Sequence, residues 1–269
     1  MLSIEFARSF APRPQISHVI FDFDGTVSWL RHGWPGIMTR LFREHLALNP
    51  GERETDLDEL LINDILSLNG KPSIHQMLKL ADRARERNQT APDPERLLQE
   101  YERRLDDVID ERSRKLAQTG TMPDEFVVHG ARPLLKKLRR RGLTLIILSG
   151  TVEHRVREEA QLLGLAGYFG SHIYGSGGAD FSKKGVIDRL LREETIEGEQ
   201  LLSFGDGPVE ISNTREIGGR AIGVASDENE NGSGRVDPWK RKQLLEAGAD
   251  AVIADYRAPD ELLKIIFGP

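Results

Sequence analysis

The chain has no cysteine among its 269 residues, which excludes disulfides, thiol nucleophiles and thiolate-bound zinc. It also lacks any apolar run approaching the ~18 residues a membrane-spanning helix needs. Positive charge is in short supply: 37 Lys and Arg against 43 Asp and Glu leave a net charge of −6. Neither nucleic acid nor an anionic membrane surface is therefore an expected partner. The segment Met1 to Gln15 has polar and charged residues spread throughout and no apolar core of about 7–15 residues, so no secretory signal is expected and the expected location is cytoplasmic. The seven histidines show no metal-ligand spacing. What remains is 38% hydrophobic and 30% charged, as in a soluble globular protein, and long enough for one core domain carrying an insertion.

Two textures divide the chain. One is an alternation of short apolar runs with amphipathic helices, beginning near Gly130. The runs are Leu143–Leu148, Ser171–Tyr174, Leu201–Phe204, Ala221–Val224 and Ala251–Ile253, and Ser17–Phe23 belongs with them by composition. Helices are expected between and after them, near Arg132–Arg141, Glu153–Leu163, Lys184–Glu194, Val209–Ile217, Lys240–Ala247 and Asp260–Phe267. This predicts an α/β fold, a Rossmann-like, mostly parallel sheet covered by helices on both faces. The other texture fills residues 28–122, where leucines and isoleucines recur at i, i+3, i+4 with no strand-like alternation. Asn49-Pro50-Gly51, Asn69-Gly70-Lys71-Pro72 and Ala91-Pro92-Asp93-Pro94 interrupt it. The expected architecture is a core domain, residues 1–27 and 123–269, with an all-helical cap domain of about four helices, residues 28–122, inserted after the first strand.

The most informative stretch is His18-Val19-Ile20-Phe21-Asp22-Phe23-Asp24-Gly25-Thr26. An apolar strand gains nothing from acids at its tip, and period 2 sends Asp22 and Asp24 to the same side. Two such carboxylates raise each other's pKa and destabilise the fold unless a cation lies between them. The tips of other strands are polar too. Leu143–Leu148 runs into Ser149-Gly150-Thr151, and Leu201–Phe204 into Gly205-Asp206-Gly207-Pro208-Val209-Glu210, while Phe181-Ser182-Lys183-Lys184-Gly185 opens a helix between them. Acids, a hydroxyl and an ammonium at one sheet edge suit phosphoryl transfer. Mg²⁺ prefers one or two carboxylates plus phosphate oxygens, and the phosphate needs N–H, hydroxyl and ammonium donors.

In these residues, and in this order, the chain resembles the haloacid dehalogenase superfamily, specifically its phosphatase-like hydrolases with a helical cap. Asp22-Phe23-Asp24-Gly25-Thr26 is similar to the first motif, Ser149 to the second, Lys184 with Gly185 to the third, and Gly205-Asp206-Gly207 with Glu210 to the fourth. Of the two adjacent lysines, Lys184 is preferred because it directly precedes the glycine. The resemblance implies that Asp22 attacks phosphorus to give an aspartyl-phosphate, and that Asp24 protonates the leaving group and later deprotonates water. It implies Mg²⁺ held by Asp22, the backbone carbonyl of Asp24 and Asp206, with phosphate bound by Ser149, Gly150 and Lys184. Glu210 stands where an aspartate is commoner, so it meets the metal directly or through water.

The expected function is a Mg²⁺-dependent phosphatase hydrolysing a small phosphorylated metabolite of the phosphoglycolate or sugar-phosphate type. A phosphomutase of the β-phosphoglucomutase kind uses the same motifs, and a non-catalytic binding or regulatory module could retain the fold. In the cap, Lys71 and His75 are candidate substrate contacts. Arg31 and Trp34, just past the first motif, either wall the substrate or pack there. Lys136–Arg141 is read as a helix C-terminus, whose dipole suits cations, rather than a nucleic-acid patch.

Overall fold

The computed structural model describes residues 4–69, 71–119, 124–177 and 181–269. In chain order its main elements are β1 (Ile4–Phe6), β2 (His18–Phe21), α1 (Trp34–Arg43), α2 (Glu54–Leu66), α3 (Ile74–Glu86) and α4 (Pro94–Thr119). Then follow α5 (Ala131–Arg140), β3 (Thr144–Val152), α6 (Glu153–Leu162), α7 (Ala166–Phe169), β4 (Ile173–Ser176) and α8 (Lys183–Glu193). The last are β5 (Leu201–Gly205), α9 (Pro208–Glu216), β6 (Arg220–Val224), α10 (Pro238–Glu246), β7 (Ala251–Ile253) and α11 (Pro259–Phe267). The chain divides into two compact units, Met1–His32 with Thr119–Pro269, and Gly33–Gln118. The boundary expected at 122–123 falls outside the described residues. Among those residues, no helix is long and apolar enough to cross a membrane.

In the first unit the strands form one seven-stranded sheet, in the order β1-β7-β6-β5-β2-β3-β4. All neighbours are parallel except β1, which pairs antiparallel with β7. The α/β, Rossmann-like expectation is met: outward from β2 the chain winds first through β3 and β4, then through β5, β6 and β7. The direction of winding reverses at β2, and ligands of such sheets bind in the crevice where it does. The edge strand β1 is too short for periodicity to reveal it.

Alternation along β2 sorts its side chains onto two buried faces. Ile20 joins Ile146, Leu148, Val186, Ile187, Leu190 and Leu201 on one side. On the other, Phe21 stacks on Phe204 at 5.0 Å, and Phe204 meets Tyr256 edge-on at 5.5 Å. A strand buried on both faces reads as a continuous apolar run, as this one does. The second unit is all-helical, comprising α1 to α4. Each helix buries one stripe, for example Ile37, Met38, Leu41 and Phe42 on α1, and Met77, Leu80, Ala81 and Ala84 on α3. Arg83 grips the buried Asp64 through two hydrogen bonds, 2.6 and 3.0 Å.

The amino-terminal edge of the sheet is tied by Asp250, which is 1% exposed. It pairs with Arg215 at 2.9 Å and Arg220 at 3.5 Å and accepts the backbone N–H of Ala221 at 2.9 Å. Removing one partner of a buried charge cluster leaves the others uncompensated, at a cost of about 3–5 kcal/mol. Asp250→Ala is expected to lower the urea midpoint of unfolding accordingly, and an unchanged midpoint would show the cluster to be ornamental.

Candidate active site

The backbone turns sharply after β2. Asp22 still donates to Phe204 as a strand residue would, at 2.9 Å, and then the Phe23 carbonyl accepts from Val27 and Ser28 at 3.0 and 2.9 Å. Gly25 sits at φ +71°, in the left-handed region, and a Cβ there would lie 2.2 Å from Asp206 Oδ2. Glycine is thus required twice, by conformation and by the carboxylate resting on it. The outgoing chain at Val27–Trp29 is hydrogen-bonded to the returning chain at Phe126–Val128.

Three cations organise the acids at this edge, each lying between one aspartate and one glutamate. Lys183, buried at the start of α8, is 3.1 Å from Asp22 Oδ1 and pairs closely with Glu210 Oε1. Arg31 Nε is 3.3 Å from Asp24 Oδ1, and its guanidinium forks onto Glu159 of α6. Lys240 of α10 is 3.0 Å from Asp206 Oδ2 and 2.5 Å from Glu228. Asp24 also accepts a hydrogen bond from the Thr151 hydroxyl at 2.9 Å. Ser149 is buried, its hydroxyl accepting from the Thr151 backbone N–H at 3.0 Å, and Gly150 passes beside the Lys183 side chain.

These surroundings shift Asp24 and Asp206 in one direction. Burial raises Asp24, against the pull of Arg31 and with the help of the Asp22 charge. Burial likewise pushes Asp206 up to about 6, opposed by Lys240 and reinforced by Asp22 and Glu228. Six carboxylates against three cations leave the cluster short of positive charge. Asp22 and Asp206, at the tips of adjacent strands, are the side chains that could hold a metal. Among the described residues no three His, Asp or Glu side chains converge on one metal position. Two carboxylates nevertheless suit Mg²⁺, which completes its shell with carbonyl, phosphate and water oxygens. The donor set therefore fits that ion.

One expectation is corrected. Lys184 is exposed and paired with Glu216 at 2.5 Å, while the lysine at Asp22 is Lys183. Ser182 caps α8, accepting from Gly185 N–H at 3.0 Å, which makes Lys183 the first helical residue. Lys183, Val186, Ile187 and Leu190 then form the buried stripe. That i, i+3, i+4, i+7 pattern was present in the sequence and points to Lys183, whereas adjacency to Gly185 carries no directional information. The strand bearing Ser149 also runs on to Val152, with a register break after Leu148, so Ser149 lies at an irregularity rather than at a strand end. Lys71 and His75 belong to the helical unit, both exposed, before and within the first turn of α3. Gly70 of that turn lies outside the described residues.

Four participants escaped the sequence reading. Thr151 stood next to residues that were named. Glu159, Glu228 and Lys240 come from elements far along the chain, and the one local hint is Lys240 in the first turn of α10, where a cation opposes the helix dipole.

Glu159 carries a measurable consequence. Burial raises it from 4.5 to about 7, with Arg31 opposing and Asp24 adding to the rise. The fold thus prefers the protonated form, so the stability tied to this group is complete below about pH 4.5 and lost as pH rises through about 7. Glu159→Gln keeps the neutral form. Its stability should match that of the native chain near pH 4 and exceed it by up to about 3 kcal/mol near pH 8. Thermal melts of both proteins across that range test this, and a gap that does not widen with pH would contradict it.

A family model described as a haloacid dehalogenase-like hydrolase matches residues 16–218. No curated protein matches the chain in sequence. Among solved structures, a conserved haloacid dehalogenase-like protein of unknown function from Agrobacterium tumefaciens is 20% identical, with a TM-score of 0.65 over 92% of this chain and 97% of that one. A predicted phosphoglycolate phosphatase from Haemophilus somnus is 13% identical, with a TM-score of 0.60 over 92% and 98%. A HAD family hydrolase from Deinococcus radiodurans, with bound phosphate and sodium, is 18% identical, with a TM-score of 0.56 over 93% and 95%. At these identities the structures speak for the fold. The family match, however, spans most of the chain and takes in Asp22, Asp24, Ser149, Lys183 and Asp206, and on that ground the chain belongs to the haloacid dehalogenase-like hydrolases.

Proposed function

We propose that this hydrolase is a Mg²⁺-dependent phosphatase acting on a small phosphorylated metabolite of the phosphoglycolate or sugar-phosphate type. The observation that carries the reading is the pairing of Asp22 and Asp24. One carboxylate is held 3.1 Å from a buried ammonium, and the other is kept basic by burial and aimed by Thr151 and Arg31. The phosphate bound by the Deinococcus structure and the name of the Haemophilus one support the substrate class.

In this reading Asp22 Oδ attacks phosphorus in line, forming an O–P bond as the bond to the leaving oxygen breaks. Asp24, protonated at the start, gives its proton to that oxygen. It then takes a proton from the water that cleaves the acyl phosphate, so Asp22 returns as the carboxylate, Asp24 as the acid, and one phosphate is released. Burial raises the pKa of Asp24, in the direction this proton-donating role requires. Lys183, the Ser149 hydroxyl and the Gly150 backbone hold phosphoryl oxygens, and Glu210 positions Lys183. Mg²⁺ would be held by Asp22, the Asp24 carbonyl and Asp206, and would supply charge neutralisation for the reacting anions. The helical unit Gly33–Gln118 is the cap.

The test is phosphate release over a panel of phosphoglycolate, sugar phosphates, polyol phosphates and nucleotides, with Mg²⁺ and with a chelator. Asp22→Asn should lose at least about 10³-fold in turnover, and chelation should abolish release that Mg²⁺ restores. Turnover by Asp22→Asn at the native rate would remove the mechanism. The two lysines give a sharper contrast: Lys183→Met should lose about 10²–10³-fold, as removal of a transition-state donor does, while Lys184→Met should stay within about twofold because its side chain faces solvent. A larger loss in Lys184→Met than in Lys183→Met would return the assignment to Lys184.

A further inference from the structure

Lys240 lies outside the four motifs, yet it is one of the most buried charged groups in the chain, 4% exposed. Its ammonium meets Asp206 at 3.0 Å and Glu228 at 2.5 Å and donates to the Ser226 hydroxyl at 3.2 Å. Ser226 in turn donates to the Gly25 carbonyl at 2.8 Å. One cation is therefore linked both to an expected metal ligand and to the loop that carries Asp22 and Asp24. α10 is built to deliver it, since Asp237 caps the helix by accepting from Trp239 and Lys240 N–H at 2.9 and 2.8 Å. Burial alone would push the ammonium's pKa down, but Glu228 and Asp206 outweigh it and raise it.

We infer that Lys240 is a tethered counter-cation of the metal site, a positioning residue that holds Asp206 when no metal is bound and competes with Mg²⁺ for its charge. Two cations on one carboxylate repel each other, most strongly where water is scarce. Mg²⁺ therefore binds more weakly than the carboxylates alone would allow, and the chain keeps its fold without it. Glu228 is what makes the competition reversible: when Mg²⁺ takes up Asp206, the ammonium retains a partly buried partner. A lysine serving only to fasten the loop at Glu228 would have no effect on metal affinity.

The inference rests on reading Asp206 as a metal ligand, and the experiment separates the two. Mg²⁺ binding is measured by calorimetry on the full chain and on Lys240→Met, Lys240→Met with Glu228→Gln, and Asp206→Asn, with thermal melts in chelator and in Mg²⁺. The double variant removes the buried pair together and guards against misfolding of the single one. Both Lys240 variants should bind Mg²⁺ at least tenfold more tightly than the native chain. Their melting temperatures should also rise further on adding Mg²⁺, and a Lys240→Met protein that folds only with Mg²⁺ supports the same conclusion. If Asp206→Asn loses affinity but the double variant binds no more tightly than the native chain, the inference fails and the metal reading stands. A double variant that does not fold even with Mg²⁺ assigns Lys240 to the fold alone and also overturns it. If Asp206→Asn binds as well as the native chain, or if no protein binds Mg²⁺, the metal reading falls and takes the inference with it.

Discussion

Three aspartates at the mouth of one crevice cannot all be charged unless each has a cation beside it, and the architecture around the sheet edge follows from that constraint. Asp22 and Asp206 leave strands that lie side by side, with Phe21 and Phe204 in register beneath them. The fold answers with Lys183, Arg31 and Lys240, each shared with a glutamate. Shared cations do two things that dedicated ones would not. They fix the aspartate from a second direction, and they leave each trio with one excess negative charge when all its members are ionised. A neutral site would have little attraction for a divalent ion; this one is left in deficit.

Such clusters are not where the stability comes from. A buried ion pair seldom repays its own desolvation, and here the pKa values of Asp24, Asp206 and Glu159 are all raised chiefly by burial. The stabilising side of the balance lies one residue below, where Phe21, Phe204 and Tyr256 pack together. Tyr256 shows how abrupt the change is. It is buried against Phe204, yet burial and the charges of Asp206 and Asp22 raise its phenol well above the usual range, so it stays neutral. The four residues of β2 thus go to the core and the next, Asp22, to the charge cluster, a conflict between local stability and placement of the kind found at functional sites.

What could be read from the sequence was whatever depends on neighbours along the chain. The apolar runs, the acids at their ends and the change of period at the helical unit are local signals, and β2 through β7 and α1 through α4 emerged from them. Asp22, Asp24, Ser149 and Asp206 were legible because each breaks a local pattern. Arg31 was noticed, but its role was not, since Glu159 lies 128 residues away. Lys240 pairs with Glu228 and with Asp206 only once β5 and β6 are side by side. Lys183 is different in kind: its position on the buried stripe of α8 is a local pattern, whereas adjacency to Gly185 does not tell which lysine faces the site.

Glu210 shows how far the spacing of a motif can determine its chemistry. It lies four residues beyond Asp206, on the first turn of α9, and from there a metal contact was one possible role. In the structure its Oε1 reaches Lys183, which reaches Asp22. Its Cβ packs so close to Gly205 that a side chain on that glycine would be crowded at 3.0 Å. Glu210 is thereby confined, 2% exposed, to the space between β5 and α8. Three segments that lie far apart in the sequence, the end of β2, the start of α8 and the start of α9, are joined by two contacts of one ammonium. Shortening or neutralising position 210 would free Lys183 from one side, and the change would be felt first at Asp22. In this chain the fourth motif reaches the first through one ammonium, Glu210 to Lys183 to Asp22.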